Sequence, residues 1–299
     1  MEIFRKMSFA DSTGDAIPFY HEGKYHIFSL TSPPGTTVYP ERLRTTWSHS
    51  ISDDLVHWQE LPTALYPGEG DEPDASGVWT GSVIYGEGQY HAFYTGYCLT
   101  AEFQQTICHA TSDDGITWTK DIANPVITPM TELYEKLDWR DPYVFYNEED
   151  ENYWILISAR RLDMPVTRRG CIVLYRSKNL KDWTYYGPIY SPGHTNCPEC
   201  PEMYKMGGHW YLSYSRFSEF VNTIYRVSES PFGPWRKPKK DGIGGRRFYA
   251  AKSMQNDDGR RFYFGWAHDR AEQSDKGEWY WGGTSMTGGK GRISGTVFG

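Results

Sequence analysis

The chain has 299 residues, a formal net charge of -7 at pH 7 and 16% aromatic residues. Phosphate binding needs a concentrated basic surface, so this charge with its scattered basic residues argues against a nucleic-acid partner. No apolar stretch approaches the length of a membrane span, which argues against a membrane partner and leaves a small neutral ligand.

An aromatic-rich strand is predicted five times along the chain. Its recurrence every 50 to 65 residues or so, between Gly, Pro, Asn and Asp turns, is typical of the blades of a β-propeller. We therefore predict an all-β fold, a five-bladed β-propeller that spans residues 1–299 as one domain. The five phrases are Tyr25-His26-Ile27-Phe28, Tyr90-His91-Ala92-Phe93-Tyr94, Tyr153-Trp154-Ile155-Leu156-Ile157, Trp210-Tyr211-Leu212-Ser213-Tyr214 and Phe262-Tyr263-Phe264-Gly265-Trp266.

A second phrase, which begins with Ser and ends with Trp, accompanies the first four strands and is expected to close their blades. The four copies are residues 52–58, 112–118, 177–183 and 228–235. Long irregular stretches at 31–46, 66–77 and 191–201 are expected to form the rim of a pocket on one face. Helical periodicity is weak and is centred on Thr131–Leu137. The Gly-rich tail 288–299 either completes the last blade or is irregular, and the sequence does not show which strand closes the propeller.

The expected compartment and cofactor content are inferred from sequence features that are missing or rare. Residues 1–30 lack the pattern of a secretion signal, which predicts a cytoplasmic protein unless a signal was removed. The five cysteines are an odd, sparse set and are expected to be free thiols, and Cys197-Pro198-Glu199-Cys200 lacks the further ligands of a zinc site. We expect no metal and no cofactor. The Arg160-Arg161 and Arg168-Arg169 pairs are interpreted as solvated loop arginines in preference to an anion grip.

Three acids stand immediately before apolar strands instead of in hairpin turns. Asp15 follows Gly14, Asp141 precedes Pro142, and Glu199 lies in the Cys197–Cys200 segment. In a propeller each would project from an inner strand toward the axis. Three carboxyl groups around one pocket suffice for glycoside hydrolysis, in which one attacks or stabilises the anomeric carbon and another protonates the departing oxygen.

Two segments carry a resemblance to a known family. Trp139-Arg140-Asp141-Pro142 matches the Arg-Asp-Pro signature of glycoside hydrolase family 32, and residues 199–204 match its Glu-Cys-Pro-acid-hydrophobe-aromatic signature. Weaker similarities lie at 47–58, 79–82, 248–250 and 265–266, so that the resemblance covers nearly the whole chain. The family belongs to a clan of five-bladed propellers, which is shared with families 43, 62 and 68.

The resemblance implies that Asp15 is the nucleophile, Asp141 the transition-state stabiliser and Glu199 the general acid/base. Arg140 is expected to keep Asp141 ionised, and the Pro, Cys and Met neighbours of Glu199 are expected to raise its pKa. The family's nucleophile motif is absent, so Asp11 remains a rival to Asp15. Leu30 stands where many members carry a Gln, and the customary C-terminal β-sandwich is expected to be absent.

The matching positions also imply a set of substrate-binding residues: Arg140, Trp47, His49, Trp79, Ser82, Tyr249 and Trp266. The leading hypothesis is a retaining exo-glycosidase that acts on β-fructofuranosides such as sucrose, inulin or levan oligosaccharides. An inverting arabinofuranosidase of the family 43 type and a non-catalytic carbohydrate-binding propeller stay open, as do the exact sugar, the linkage and the oligomeric state.

Overall fold

The computed structural model describes residues 3–5, 12–36, 39–218, 220–245, 248–274 and 276–288. Strands dominate these ranges, and the three helices in them are short 3-10 turns at Glu41–Leu43, Val166–Arg168 and Ala271–Gln273. The strands are β1 (Ile3–Arg5), β2 (Thr13–His21), β3 (Lys24–Thr31), β4 (Thr46–Ser52), β5 (Trp58–Leu65), β6 (Gly77–Gly86), β7 (Gln89–Tyr97), β8 (Gln105–Ser112), β9 (Thr119–Lys120), β10 (Tyr134–Asn147), β11 (Asn152–Arg161), β12 (Gly170–Ser177), β13 (Thr184–Tyr190), β14 (Glu199–Met206), β15 (His209–Arg216), β16 (Asn222–Ser228), β17 (Gly242–Ile243), β18 (Tyr249–Gln255), β19 (Arg261–Arg270) and β20 (Trp279–Gly288).

The strands form five antiparallel blades, which confirms the predicted propeller. Blade one is β2–β5, blade two β6–β9, blade three β10–β13 and blade four β14–β17. Blade five contains β18, β19 and β20, and its outermost strand is β1 from the start of the chain. The first strand of each blade is the innermost one, so β2, β6, β10, β14 and β18 surround a common axis.

The closure of the ring is therefore made by the N-terminal strand. Residues 3–5 pair with residues 285–287 of β20 in antiparallel register. A further pairing, of Thr13 with Gly283, joins blade one to blade five.

The phrases that end in Trp lie between the third and fourth strands of blades one to four, as predicted. In the first phrase the Asp54 carboxylate accepts hydrogen bonds from the amides of Val56 and His57, both 2.8 Å long, which tightens the turn. The tryptophans then pack across blade boundaries. The Trp118 ring meets Phe28 edge-on with centroids 5.8 Å apart, and Trp183 meets Phe93 in the same way at 5.3 Å.

The hydrophobic core is divided among the spaces between blades. One cluster joins blades one and two around Trp47 and Tyr94, another joins blades two and three around Phe93 and Trp139. A third cluster joins blades three and four around Trp154. Because each blade contributes both faces of its sheet to such contacts, its strands are apolar on both sides near the centre. The axial ends of the inner strands are left for polar side chains.

The helical prediction at residues 131–137 was wrong. A turn ends at Leu133 and β10 begins at Tyr134, which pairs with Arg161 on β11. Of the tail, Gly288 is the last residue of β20, and residues 289–299 lie outside the described part of the chain. No helix in the described residues has the length and apolarity needed to cross a membrane.

Candidate active site

Every inner strand carries a β-bulge, at which two residues face a single residue of the next strand. Bulges re-aim side chains and are common beside active sites. Four of the five bulges contribute side chains to one cavity at the end of the axis, and blade five contributes Tyr249, the residue before its bulge. The bulged pairs are Gly14 and Asp15, Trp79 and Thr80, Asp141 and Pro142, Cys200 and Pro201, and Ala250 and Ala251.

Three of the bulges hold a non-glycine residue at positive φ. The φ angles are 59° at Asp141, 50° at Cys200 and 50° at Ala250, a region that L-residues rarely adopt. Hydroxyl groups of the preceding blade stabilise two of these bulges. The Asp141 amide donates to Thr95 Oγ1 over 2.8 Å, and the amide that follows Ala250 donates to Thr223 Oγ1 over 3.1 Å. Strain of this kind is typical of functional sites.

Asp15 lies on β2 and is 8% exposed. Thr80 Oγ1 donates to its Oδ2 over 2.5 Å, and Trp266 Nε1 donates to its Oδ1 over 2.7 Å. Burial raises the pKa of Asp15, and the negative charge of Asp141 raises it further. The two hydrogen bonds and the charge of Lys252 act in the opposite direction. Asp15 is therefore held in a fixed orientation by two donors.

Asp141 lies on β10 and is 4% exposed. Its Oδ2 accepts a hydrogen bond of 2.8 Å from the Cys200 amide, and Arg140 Nε lies 3.8 Å from the same oxygen. The Cys200 thiol in turn lies 3.6 Å from Asp15 Oδ2. One residue of the blade-four bulge thus touches both carboxylates.

Glu199 begins β14 and its side chain is 21% exposed. Its Oε1 accepts a bond of 3.0 Å from Arg140 Nη2, and its Oε2 accepts a bond from the Tyr249 hydroxyl. Burial raises the pKa of Glu199 from 4.5 to about 7, while Arg140 lowers it and Asp141 raises it. A carboxyl group with this pKa is protonated in a large share of molecules near neutral pH, as a general acid requires.

Further polar and charged side chains fix the position of Arg140. Its Nη1 donates to Asp138 Oδ1 over 2.5 Å and to Gln105 Oε1 over 3.2 Å. Arg160 Nε lies 3.3 Å from Asp138 Oδ2 and 2.7 Å from Glu135 Oε2. Arg160 is 5% exposed, so its interpretation as a solvated loop arginine was wrong. It stabilises the acid that positions Arg140.

The three carboxyl groups share one cavity of about 420 Å³ at the end of the axis. Apolar and aromatic side chains form its walls, and Arg140 is the only cation among the described lining residues. The lining consists of Asp15, Leu30, Leu43, Thr45, Trp79, Thr80, Gln105, Asp138, Arg140, Asp141, Glu199, Cys200, Phe217, Tyr249 and Trp281. Aromatic faces with a few polar groups suit the apolar and hydroxylated faces of a sugar ring.

The structure brings only part of the predicted substrate-binding set to this cavity. Arg140, Trp79 and Tyr249 line it, whereas Trp266 is fully buried outside the lining and donates a hydrogen bond to Asp15. Trp79 stacks on the Tyr97 ring with centroids 4.0 Å apart, which fixes the indole.

Trp47 and His49 lie elsewhere, because both stand on β4, the third strand of blade one. Trp47 is 0% exposed, and its Nε1 donates to the carbonyl of Trp79 over 2.9 Å. His49 is 0% exposed, stacks on Phe28 and shares a 3.0 Å hydrogen bond with His26. This placement argues against sugar contacts, since a third strand is separated from the axis by two others. Trp47 instead supports the backbone of the cavity wall.

Ser82, also predicted to bind substrate, bridges two inner strands. Its hydroxyl donates to the Pro142 carbonyl over 2.9 Å and accepts from the Val144 amide over 2.8 Å. Replacing Ser82 with Ala leaves two buried backbone groups unsatisfied, so we expect unfolding free energy to fall by about 2–4 kcal/mol. Chemical denaturation measures this loss.

The matched control for this prediction is Ser76→Ala, since Ser76 accepts one bond from the exposed Leu99 amide. A loss of about 0.5 kcal/mol or less is expected there. Equal losses of unfolding free energy in the two variants would show that the Ser82 hydrogen bonds contribute no more to stability than the Ser76 hydrogen bond.

Sequence reasoning missed several residues of the site. Thr80 appeared only as part of a motif, yet it orients Asp15, and Gln105 and Phe217 gave no signal at all. The position of the Trp281 ring explains why the residue before Asp15 is a glycine. A Cβ on Gly14 would lie 2.2 Å from Trp281 Cζ2, so only glycine fits at this bulge.

Asp11, the rival nucleophile, lies outside the described residues. All five cysteines are free and buried. Within the ranges that the structure describes, no group of three or more His, Cys, Asp or Glu side chains could hold a metal ion.

Comparison with known proteins gives consistent results. The chain matches the family model of the glycosyl hydrolases family 32 N-terminal domain over residues 16–287. This range contains Asp141 and Glu199 and begins immediately after Asp15. The sucrose-6-phosphate hydrolase of Zymomonas mobilis is 27% identical over 271 residues, which are 83% of this chain and 51% of that protein.

Two further relatives extend the comparison. The levanase of Bacillus subtilis is 31% identical over 277 residues, 83% of this chain and 38% of the levanase. The solved family 32 β-fructofuranosidase of Bombyx mori superposes with a TM-score of 0.71 at 25% identity, over 91% of this chain and 59% of that one. The chain thus spans about half the length of the curated relatives it matches.

Proposed function

Because the chain belongs to glycoside hydrolase family 32, we propose that it hydrolyses β-fructofuranosides, removing terminal fructose with retention of configuration. One observation carries the proposal: three carboxyl groups from the inner strands of blades one, three and four converge on one aromatic-walled cavity. Their environments differ, and such differences separate the acid from the nucleophile.

In the first step, the Asp15 carboxylate attacks the anomeric carbon as the bond to the leaving oxygen breaks. Glu199 gives its proton to that oxygen, which departs as an alcohol, and a fructosyl ester forms on Asp15. Asp141 stabilises the positive charge that develops on the sugar ring. In the second step, the ionised Glu199 takes a proton from water, whose oxygen attacks the anomeric carbon and releases Asp15.

The charge inside the cavity favours a neutral fructoside over a phosphorylated one. Arg140, the only cation among its described lining residues, is already engaged by Asp138 and Glu199. A sugar phosphate needs a free cationic partner to offset its desolvation. We therefore propose sucrose or short fructans as substrates.

The test is a panel of sucrose, sucrose 6-phosphate, levan, inulin and aryl arabinofuranosides, with released monosaccharides identified and the first-formed anomer followed by NMR. We expect fructose from the neutral substrates, released with retention. Arabinose release with inversion would move the assignment to the arabinofuranosidases. Sugar binding without any release would indicate a carbohydrate-binding propeller.

The pH dependence should report Glu199. Since this residue must be protonated to act as an acid, kcat/KM should fall as pH rises through about 7. The Tyr249 hydroxyl donates to the Glu199 carboxylate and so favours its charged form. Tyr249→Phe should therefore move this alkaline limb to higher pH.

A matched control is Tyr190→Phe, because the Tyr190 hydroxyl is paired with the Tyr214 hydroxyl and Tyr190 does not line the cavity. Its alkaline limb should stay at the wild-type position. An unshifted limb in Tyr249→Phe would show that this hydroxyl does not tune the acid.

A further inference from the structure

A lysine lies buried at the axis below the cavity. Lys252 follows the blade-five bulge on β18 and is 1% exposed. Fully buried lysines are rare, because an ammonium group loses its hydration when it is buried. The hydrogen-bond acceptor of its Nζ is the neutral carbonyl of Gly81, at 2.6 Å. This bond satisfies one N–H donor of the ammonium group. Because the carbonyl is neutral, the bond does not offset the positive charge, which can act on groups farther away.

The position of this bond places the charge beneath Asp15. Lys252 belongs to blade five and Gly81 to blade two, and blade one stands between them. A side chain that reaches from blade five to blade two must pass the inner strand of blade one, β2, which packs against both β18 and β6. Thr80, which precedes Gly81, donates to the Asp15 carboxylate. The ammonium group and Asp15 are thus anchored at adjacent residues of β6, Gly81 and Thr80.

Asp15 needs such a counter-charge. It is buried beside Asp141, a second acid, and both effects favour its protonated form. A protonated carboxylic acid is a poor nucleophile. The other cation of the site, Arg140, contacts Glu199 and Asp138 and lies 3.8 Å from Asp141.

We propose that Lys252 is a positioning residue whose buried charge keeps Asp15 ionised, and hence nucleophilic, before substrate binds. The proposal rests on the proposed function, since it assigns a role in that reaction. Lys252 does not line the cavity and acts through Asp15.

Other ionisable groups around this pair do not supply the charge. Glu202 is buried below the cavity and 3.5 Å from Arg261 Nη1, so these two opposite charges offset each other. The acidic or neutral groups near Asp15 or Lys252 are Asp141, Cys200, Tyr249 and Tyr143, and Glu199 shares the cavity with Asp15.

The experiment compares Lys252→Gln, which keeps a donor for Gly81 but removes the charge, with Lys252→Arg, which keeps the charge. In Lys252→Gln the acidic limb of the kcat/KM profile should move up by a pH unit or more. Activity on the acidic limb should then fall about 10-fold or more, with a smaller loss at the optimum. Lys252→Arg should retain the wild-type limb. An acidic limb that stays in place in Lys252→Gln would overturn the proposal.

A second measurement reports the charge state without turnover. Carboxyl ¹³C NMR titration, with Asp15 assigned by the signal lost in Asp15→Asn, should show Asp15 ionising at higher pH in Lys252→Gln. Arg226→Met is the control, because Arg226 is also a buried cation, at 6% exposure, but is paired with Asp241. It should lose stability without moving the Asp15 signal. If wild type hydrolyses no glycoside, the function fails, yet this titration still decides the role of Lys252.

Discussion

Replacement of Asp15 with Asn is expected to lower kcat for fructoside hydrolysis by about 10⁴-fold or more. The amide has the shape of the carboxylate and can still accept a hydrogen bond from Thr80 or Trp266, but its oxygen carries no charge to form the ester. Stability should change little, because the substitution removes the repulsion between Asp15 and Asp141 together with the attraction between Asp15 and Lys252. Steady-state kinetics and thermal unfolding of the same preparation measure both effects.

Asp11→Asn is the matched variant for this result. The two acids stand close together in sequence, and only one can carry the fructosyl ester. We expect Asp11→Asn to keep activity within about 10-fold of wild type, since Asp15 would still form the ester. An inactive Asp11→Asn beside an active Asp15→Asn would transfer the nucleophile to position 11. Mass spectrometry of quenched wild-type enzyme should find the sugar on the Asp15 peptide.

Glu199→Gln is expected to lower kcat/KM on sucrose by about 10²–10⁴-fold and to remove the alkaline limb of its pH profile. Gln cannot donate the proton that a sugar alkoxide needs in order to leave. An aryl fructoside with an acidic phenol needs little protonation, so its ester-forming step should be far less affected. The ratio of the two losses therefore identifies Glu199 as the acid.

The control for this prediction lies three residues further along the same strand. Glu202 is 0% exposed, does not line the cavity, and accepts bonds from the Ser253 amide and hydroxyl. Glu202→Gln should reduce stability and should lower sucrose and aryl fructoside turnover by the same small factor. A loss on sucrose alone would show that Glu202, and not Glu199, protonates the leaving group.

The sequence predicted the fold well because a propeller repeats its signals. The aromatic phrases mark the second strand of each blade, and the phrases ending in Trp mark the turn before the fourth. Residues 131–137 were misread because local periodicity there was overridden by pairing with Arg161. The closing strand could not be found, since three residues carry too little pattern to predict a partner 280 to 284 positions away.

Site residues that belong to sequence motifs were predicted, whereas residues that reach the site only through the three-dimensional fold were missed. Asp141 and Glu199 stand in motifs and both face the cavity. Trp47 and His49 also stand in a motif, but that motif lies on the third strand of blade one. This position is known only once the strand pairing of the blade is known. Thr80 lies in a bulge and Lys252 follows one, and a bulge shifts a side chain without a distinctive sequence.

The pairing of β1 with β20 has a consequence for the order of events during synthesis. β1 is synthesised before the four blades that separate it from β20 in the sequence, so it has no partner until β20 has been made. Contacts between such distant positions form slowly, because the whole intervening chain must first be organised. Until then the edge of β20 offers unpaired backbone groups to any other extended segment. In a nascent chain, or in one without β1, the unpaired edge of β20 can therefore pair with a strand of another molecule.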